Sequence, residues 1–223
     1  MKRIILLAIY IGCIVSVFSQ PSDDPDGQMV TAVDFFSSVS EKYKEITDYE
    51  AVVTIQHNDL YMEGQLYYKN PDKILITFNE PEGQVISVIG SDLVIYLPQK
   101  SVTLTQNLSR GGEPMKGLDL FSRGYTFAWV TNYELVPLEE GSPEMVYKLK
   151  LAWRTTDEGF REIEMSIGKN MLIRRLVGVT KNYDELTMDF KNIRINQNIP
   201  DARFEYESPP SSYEINNFIY AEE

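Results

Sequence analysis

The residue types that most often perform acid–base, nucleophilic or metal chemistry are scarce in this sequence of 223 residues. It contains one histidine, His57, and one cysteine, Cys13. These numbers exclude a zinc site made of Cys and His ligands alone, and an internal disulfide within the chain. His57 lies among polar residues typical of a hairpin turn, so we interpret it as a solvated turn residue rather than a lone general base.

Carboxylates are the remaining candidates for catalysis. Glu139 directly precedes Glu140, and Glu162 is followed two positions later by Glu164. Glycoside hydrolases use pairs of carboxylates, but acidic side chains at exposed strand and turn positions usually keep a protein soluble. A hydrolase with an unrecognised carboxylate site stays open as an alternative. Because no dinucleotide, P-loop, H-E-x-x-H or nucleophile-elbow motif occurs, we predict no catalytic residue, no metal and no cofactor.

The overall charge is strongly acidic. Lys and Arg total 21 and Asp and Glu total 33, which gives a formal net charge of -12. Such a surface repels phosphates, so nucleic acid is a poor partner for the domain. Hydrophobic residues make up 43% and charged residues 24% of the chain, which is ordinary usage for a globular protein.

The N-terminal residues are typical of a secretory signal peptide. A positive start, Met1 to Arg3, precedes a stretch of 15 largely apolar residues from Ile4 to Phe18. This stretch is shorter than the ~20 residues that a membrane-spanning helix needs. We therefore predict a cleaved signal peptide at 1–19, a polar linker at 20–28 and a single domain at 29–223.

Cys13 leaves a second interpretation of the N-terminus open. A lipid-modified cysteine at this position would tether the protein to a membrane, and Gly12 before it fits such a site. The apolar stretch continues past Cys13 through Ile14 and Val15, which favours a cysteine inside the signal peptide instead. Our prediction is export by a cleaved signal peptide, with a protein tethered to a membrane through lipidated Cys13 as the alternative.

The period of the apolar residues separates one helix from many strands. Residues 29–47 carry apolar side chains three or four positions apart, which predicts an amphipathic helix. The apolar stripe of this helix consists of Val30, Val33, Phe36, Val39, Tyr43 and Ile46. From Asp48 onwards apolar and polar residues alternate, as in strands with one buried face. The turns between these strands are too short for a parallel crossover, so we expect antiparallel pairing.

These elements predict a mainly β (α+β) fold. We expect about eleven antiparallel strands in one strongly curved sheet, with the N-terminal helix and a helical insertion between residues 107 and 129 on its concave face. The chain has 14 Tyr, 10 Phe and 2 Trp. Two helical segments are too small to cover the inside of such a sheet, so an apolar cavity is expected there.

The order of several short segments resembles the LolA-type periplasmic lipoprotein carriers. The segments are Leu66-Tyr67-Tyr68-Lys69-Asn70-Pro71-Asp72-Lys73, Ile74-x-Ile76-x-Phe78, Glu80-Pro81, Val85 to Ile89, Gly90-x-x-Leu93 and Ile95-Tyr96-x-Pro98. The later residues Phe190-x-Asn192 and Phe204-x-Tyr206-x-x-Pro209 look like the closing segment of that family. Together with the predicted N-terminal helix, the resemblance covers nearly all of the chain after residue 28.

The resemblance implies an incomplete antiparallel barrel whose mouth is lidded by helices. It implies a periplasmic chaperone, not an enzyme, that takes up the acyl chains of lipoproteins released from the inner membrane. The partners would be lipidated proteins, an inner-membrane lipoprotein-releasing transporter and an outer-membrane acceptor, with the carrier itself a monomer. The implied lipid-binding residues are Val53, Ile55, Leu66, Tyr68, Ile74, Ile76, Phe78 and Val85. The implied lid residues are Leu118, Leu120 and Phe121.

One position departs from the family pattern. Many of these carriers have Arg just before the turn proline, where it ties the lid closed, whereas this chain has Asn70. Asn has no charge and a shorter reach, so we expect the lid to be held differently or the ligand to be released by another mechanism. The same fold would also suit a membrane-anchored acceptor, a lipid sensor or a carrier of another lipid, and these alternatives stay open.

Overall fold

The computed structural model describes residues 30–107, 118–156 and 159–217, apart from the side chains of Asp119 and Leu120. The predicted signal peptide, the polar linker and Cys13 lie outside the described residues. The division of the chain into signal peptide, linker and single domain therefore stays a prediction.

The described chain folds into two α-helices and one sheet of 13 strands. The helices are α1 (Ala32–Lys44) and α2 (Asp119–Gly124). The strands before α2 are β1 (Asp48–His57), β2 (Leu60–Lys69), β3 (Lys73–Glu80), β4 (Val85–Ile89), β5 (Asp92–Leu97) and β6 (Val102–Asn107). The strands after α2 are β7 (Tyr125–Trp129), β8 (Val136–Pro137), β9 (Met145–Trp153), β10 (Phe160–Gly168), β11 (Ile173–Thr180), β12 (Glu185–Ile195) and β13 (Tyr213–Asn216).

The predicted mostly β fold with a large curved sheet is confirmed, with three differences in the strands. The strand order is β13-β6-β5-β4-β3-β2-β1-β12-β11-β10-β9-β7, and β8 also pairs with β9. Thirteen strands form instead of about eleven, because β8 and β13 are too short to give an alternating pattern. In addition, residues 125–129, which belong to the predicted helical insertion, form the strand β7 instead. The prediction of a wholly antiparallel sheet is wrong at one place, since β13 pairs with β6 in parallel. The parallel pairing is possible because residues 196–212 first cross the sheet.

Local sequence sets the ends of α1. The Thr31 side chain accepts the backbone N–H of Asp34 at 3.1 Å and so caps the first turn. Asp34 lies in the first turn of the helix, and Lys42 and Lys44 lie in the last turn. At these positions their charges interact favourably with the helix dipole. The helix is therefore shorter than the predicted 29–47.

The buried side of α1 differs in part from the predicted stripe. Phe36 and Val39 are buried as expected, but Val33 is 54% exposed and Phe35 is buried instead. The ring of Phe35 lies 5.1 Å from the ring of Trp129 on β7, measured between centroids. Contacts with aromatic side chains of the sheet therefore decide which side of the helix faces inwards, and the spacing of residues in α1 does not contain this information.

We call the face of the sheet on which α1 packs the inner face, and the opposite one the outer face. The main core lies between α1 and the inner face of β9 and β10. Besides Phe35 and Phe36, its fully buried members include Leu149, Leu151, Met165 and Ile167. Burial of four such side chains stabilises the fold by roughly 2 kcal/mol each. This half of the inner face is therefore filled by the helix.

The outer face of β2 to β5 is covered by residues 196–212, which we call the crossing segment. Ile199 and Phe204 from this segment pack with Leu75 of β3 and Val85 of β4 in one buried cluster. The Lys69 ammonium group donates to the carbonyl of Ile199 at 2.8 Å. The crossing segment thus joins the end of β12 to β13 across the back of the sheet.

Candidate functional site

The candidate site is a row of apolar side chains that runs across the inner face from β2 to β13. Neighbouring strands place these residues directly opposite one another. In spatial order the row consists of Leu66, Ile76, Ile86, Ile95, Leu104 and Ile215. We call these six residues the inner row. Because cross-strand neighbours on one face have Cβ atoms about 5 Å apart, they form one continuous apolar surface.

Exposure changes along the inner row. Ile76 on β3 is 9% exposed, the row is half-buried at Ile86, Ile95 and Leu104, and Ile215 at the sheet edge is 39% exposed. Half-buried isoleucine and leucine side chains in sequence on one face still leave apolar area to be covered. The row therefore offers a surface that a long apolar ligand can cover.

Seven of the eight implied lipid-binding residues lie on the inner face. Leu66 and Ile76 belong to the inner row, and Val53, Ile55, Ile74 and Phe78 pack around them in one cluster. Tyr68 lies opposite Tyr49 and Ile74 on the same face. The structure brings these seven side chains together on neighbouring strands.

Val85 lies on the outer face instead. It packs there against Leu75, Ile199 and Phe204, because the turn after β3 pairs Val85 with Thr77 and places Ile86 next to Ile76. In the stretch from Val85 to Ile89 most residues are apolar, so its pattern does not reveal which side chains face inwards. We therefore leave Val85 out of the proposed lipid-binding surface and include Ile86.

Two of the three implied lid residues pack in the core under α1. Leu118 and Phe121 contact the cluster that contains Phe36 and Leu151, and the rings of Phe121 and Phe36 lie 6.4 Å apart. The side chain of Leu120 lies outside the described residues. This placement puts Leu118 and Phe121 in a different cluster from the one formed around Ile76.

Asn70 contacts the turn that follows α1. Its side-chain amide donates to the carbonyl of Ile46 at 3.4 Å, and its backbone N–H donates to the carbonyl of Thr47 at 2.9 Å. Both acceptors lie in the turn between α1 and β1. In this chain the residue before the turn proline therefore ties the β2–β3 turn to the turn between α1 and β1.

The hydroxyl groups of three tyrosines lie near the buried end of the inner row. Tyr49 and Tyr68 lie opposite each other on β1 and β2, and burial raises the pKa of both hydroxyls. Burial also raises the pKa of Tyr43 to about 12. These hydroxyls are therefore uncharged at neutral pH, as suits a surface that receives an apolar ligand.

Charged side chains on the outer face of the other half of the sheet are paired with one another. Lys148 lies 3.0 Å from Glu164, and Lys150 lies 2.8 Å from Glu162, nitrogen to oxygen. Arg175 holds both oxygens of Asp189 and also contacts Glu139. Ion pairs thus hold Glu139 of the Glu139–Glu140 pair. They also hold both members of the Glu162 and Glu164 pair.

Two depressions on the described surface lie away from the inner row. One of about 520 Å³ is lined mainly by Glu144, Lys169, Asn170 and Arg174 near the β10–β11 turn. Another of about 470 Å³ lies at β1, β2 and β12. The lining residues of these two depressions are mostly polar or charged. Neither includes a member of the inner row, so we place the candidate site on the inner face itself rather than in either depression.

The remaining chemical candidates are limited within the described ranges. His57 lies at the end of β1, with Nδ1 3.0 Å from the carbonyl oxygen of Glu185. In the part of the chain that the structure describes, no three His, Cys, Asp or Glu side chains are grouped so that they could hold a metal ion. Of the helices described, none has the length and apolar character that crossing a membrane requires.

Ile86, Ile95 and Leu104, which are half-buried members of the inner row, are not among the lipid-binding residues that the resemblance implies. Ile86 and Ile95 lie in the segments that carry the resemblance, but their faces depend on the turns at residues 81–84 and 90–91. A register count through both hairpins, starting from Ile76, would have assigned them. For Ile215 the sequence holds no comparable signal, since β13 has four residues and lies beyond the crossing segment.

Comparisons with known proteins agree with this architecture. The family model described as outer membrane lipoprotein carrier protein LolA matches residues 53–207. No curated protein matches the chain. An uncharacterized conserved protein from Thermus thermophilus is similar in structure, with a TM-score of 0.55, 16% identity, and coverage of 83% of this chain and 98% of that one.

A second solved structure shares the fold. It is the MucA/MucB complex of Pseudomonas aeruginosa, with a TM-score of 0.53, 10% identity, and coverage of 82% of this chain and 63% of the matched one. At such identities the likeness shows the fold alone. The family model is different in kind, because it matches the sequence itself from the middle of β1 to the crossing segment. On that match, the chain belongs to the family described as outer membrane lipoprotein carrier protein LolA.

Proposed function

We propose that this protein is a periplasmic carrier that holds the acyl chains of lipoproteins on the inner row and takes them from the inner to the outer membrane. The observation that carries the proposal is the inner row itself, which is apolar throughout and half-buried from Ile86 to Leu104. Membership of a family described as lipoprotein carriers supports the same role. The protein acts in this proposal by binding alone.

The hydrophobic effect explains why such a carrier needs this surface. Burial of one methylene group is worth ~0.8 kcal/mol, so an acyl chain of roughly 16 carbons costs ~12 kcal/mol to expose fully to water. The inner row consists of six apolar side chains and runs across six neighbouring strands, namely β2, β3, β4, β5, β6 and β13. At a strand spacing of about 4.8 Å the row is about 24 Å long, which is comparable to an extended acyl chain.

The proposed partners follow from transport between two membranes. The donor is an inner-membrane transporter that releases lipoproteins, and the acceptor is an outer-membrane receptor. The carrier works as a monomer after residues 1–19 have been removed. Mass spectrometry of the N-terminus of the exported protein tests this part, because a free end at Gln20 supports a mobile carrier and a lipid on Cys13 supports an anchored acceptor.

The inner row is tested by placing charges on its half-buried members. We expect the double variant Ile95→Glu, Leu104→Glu to bind a diacylated lipopeptide at least tenfold more weakly, because a carboxylate on the row is desolvated by the chain. The matched control is Val94→Glu, which changes the residue between Leu93 and Ile95 on the outer face of the same strand.

Circular dichroism and a binding titration decide the outcome. We expect both proteins to keep a β-sheet spectrum, since the substituted side chains are half-buried. Binding that is unchanged in the double variant, or equally weakened in Val94→Glu, would overturn the assignment of the site to the inner row. Native mass spectrometry of protein purified from its own periplasm should in addition show bound lipid or lipoprotein.

A further inference from the structure

Within the described residues, the edge strand β13 has a row of backbone hydrogen-bonding groups that no other strand uses. Its parallel pairing with β6 uses the N–H of Tyr213, which donates to the carbonyl of Ser101 at 2.7 Å, and the N–H of Asn217, which donates to the carbonyl of Thr105 at 2.9 Å. Alternate residues of a strand direct their backbone groups to the same side. The N–H and C=O groups of Glu214 and Asn216 between them therefore point away from β6.

This edge is exposed. β13 stands at the end of the strand order, and all four of its residues are solvent-exposed. Among the described residues, β6 is its one strand neighbour. Short length, charged side chains, proline and bulges protect many natural edge strands. β13 is short and carries Glu214 but has no proline or lysine, and the described part of the chain places no strand beyond it, so it can accept a further strand.

The inner row ends at the same edge. Ile215 lies directly opposite Leu104 and continues the row onto β13. Because neighbouring strands are about 4.8 Å apart, a strand added beyond β13 would start one strand spacing from Ile215. An acyl chain on the inner row and a peptide on the edge would therefore be close enough to belong to one molecule.

We propose that the free edge of β13 binds, as an added strand, the extended peptide that follows the lipid-bearing cysteine of a lipoprotein. This proposal rests on the proposed function, because the acyl chains on the inner row bring the peptide to the edge. Main-chain hydrogen bonds to Glu214 and Asn216 recognise the peptide without regard to its side chains. One carrier can then accept clients whose sequences after the cysteine differ.

Two ligands distinguish the contribution of the peptide to binding from the contribution of the lipid. The first is a diacylated cysteine followed by a single serine, and the second is the same lipid followed by a ten-residue unstructured peptide. We expect the wild-type protein to bind the long ligand about tenfold more tightly, which corresponds to two or so additional hydrogen bonds. If neither ligand binds, the proposed function fails, and if both bind equally, the edge proposal alone fails.

Two proline variants test whether the backbone N–H groups on the outer side of β13, away from β6, bind the peptide. Glu214→Pro removes an N–H that points away from β6, at a place where an edge strand tolerates proline. We expect this variant to lose the tenfold advantage of the long ligand and to bind the short one as the wild type does. The matched control, Ile215→Pro, removes an N–H on the β6 side and an inner-row side chain, so both ligands should bind more weakly. A Glu214→Pro variant that retains the advantage overturns the proposal.

Hydrogen exchange tests the same proposal in the wild-type protein, without any substitution. We expect the amides of Glu214 and Asn216 to exchange rapidly in the free protein and with the short ligand, and to be protected by the long ligand. Protection without any ligand, accompanied by the mass of a dimer, would show that a second copy of this chain occupies the edge and would overturn the proposal. Absence of protection with the long ligand would do the same.

Discussion

The carboxylate of Asp48 accepts the backbone N–H of Gln197 at 2.6 Å. Its second oxygen accepts the N–H of Asn198 at 3.0 Å. Asp48 is the first residue of β1 and is 2% exposed, so one buried side chain fixes the start of the crossing segment to the centre of the sheet. The crossing segment in turn places β13, and hence the last member of the inner row.

Removal of this carboxylate should weaken the whole fold. Hydrogen bonds to a charged group are worth about 1.5–3 kcal/mol, and Asp48→Ala leaves two N–H groups without their acceptor. We therefore expect the free energy of unfolding to fall by about 3 kcal/mol. Asp48→Asn keeps one acceptor oxygen and should lose less. Urea unfolding followed by circular dichroism measures both, and equal stability of Asp48→Ala and wild type would contradict this role.

The crossing segment should matter for stability more than for ligand binding. Phe204 is 1% exposed in the cluster with Leu75 and Val85, and truncation of a buried phenylalanine usually costs 3–5 kcal/mol. We expect Phe204→Ala to lower the unfolding midpoint in urea strongly and the half-buried Tyr206→Ala to lower it less. At temperatures where Phe204→Ala is still folded, its affinity for a diacylated lipopeptide should equal that of the wild type, since the cluster is on the outer face.

Gly64 should tolerate no side chain. It lies on β2 between Val53 and Phe78, and a Cβ atom there would come within 2.4 Å of the carbonyl oxygen of Thr77. Because that oxygen belongs to the backbone of β3, the sheet must deform, and we expect Gly64→Ala to cost more than about 2 kcal/mol. Gly159→Ala, with no atom within 4 Å of the new Cβ, is the control and should change stability by less than about 0.5 kcal/mol. Thermal unfolding of the two variants compares them directly.

The protein should lose stability in alkaline solution through Tyr43. Its hydroxyl accepts the N–H of Ile173 at 3.0 Å, and burial raises its pKa from 10.0 to about 12. The folded state therefore holds this proton more tightly than the unfolded state does. The stabilisation is complete below pH 10 and is lost as the pH rises from 10 towards 12, because the unfolded state then ionises first.

The size of this effect follows from the shift. Two pKa units correspond to about 2.7 kcal/mol at most. We expect Tyr43→Phe to flatten the fall in unfolding free energy between about pH 10 and about pH 12, at the expense of about 1 kcal/mol at neutral pH for the lost acceptor. Urea unfolding across this pH range measures the slope. Identical slopes in the variant and the wild type would contradict the assignment to Tyr43.

The fold was predictable wherever the pattern is local. The alternation in β1, β2 and β3 and the spacing in α1 depend on which residues face water, and those elements form close to where the sequence places them. The buried position of Phe35 and the exposed position of Val33 were not predictable, because aromatic side chains of β7 and β9 decide them. These partners lie about a hundred residues away in the chain.

The candidate site was predictable in its centre and not at its ends. Ile74, Ile76 and Phe78 stand two positions apart between polar Lys73 and Asn79, so their common face could be assigned from the sequence, although Leu75 between them is apolar as well. Val85 lies in a stretch where most residues are apolar, and a turn of one residue more or fewer would exchange its face with that of Ile86. The position of Ile215 depends on the whole path of the crossing segment.

The increase in exposure from Ile76 to Ile215 gives the inner row a direction. A hydrocarbon chain that arrives at the β13 side and advances towards β3 sheds its water one strand at a time, and each step gains a fraction of the total binding free energy. Loading of this kind proceeds as a series of small dehydration steps, and unloading can begin at the wet end without the whole chain leaving at once. If the proposed carrier function holds, transfer to an acceptor then begins before the acyl chain has fully left the inner row.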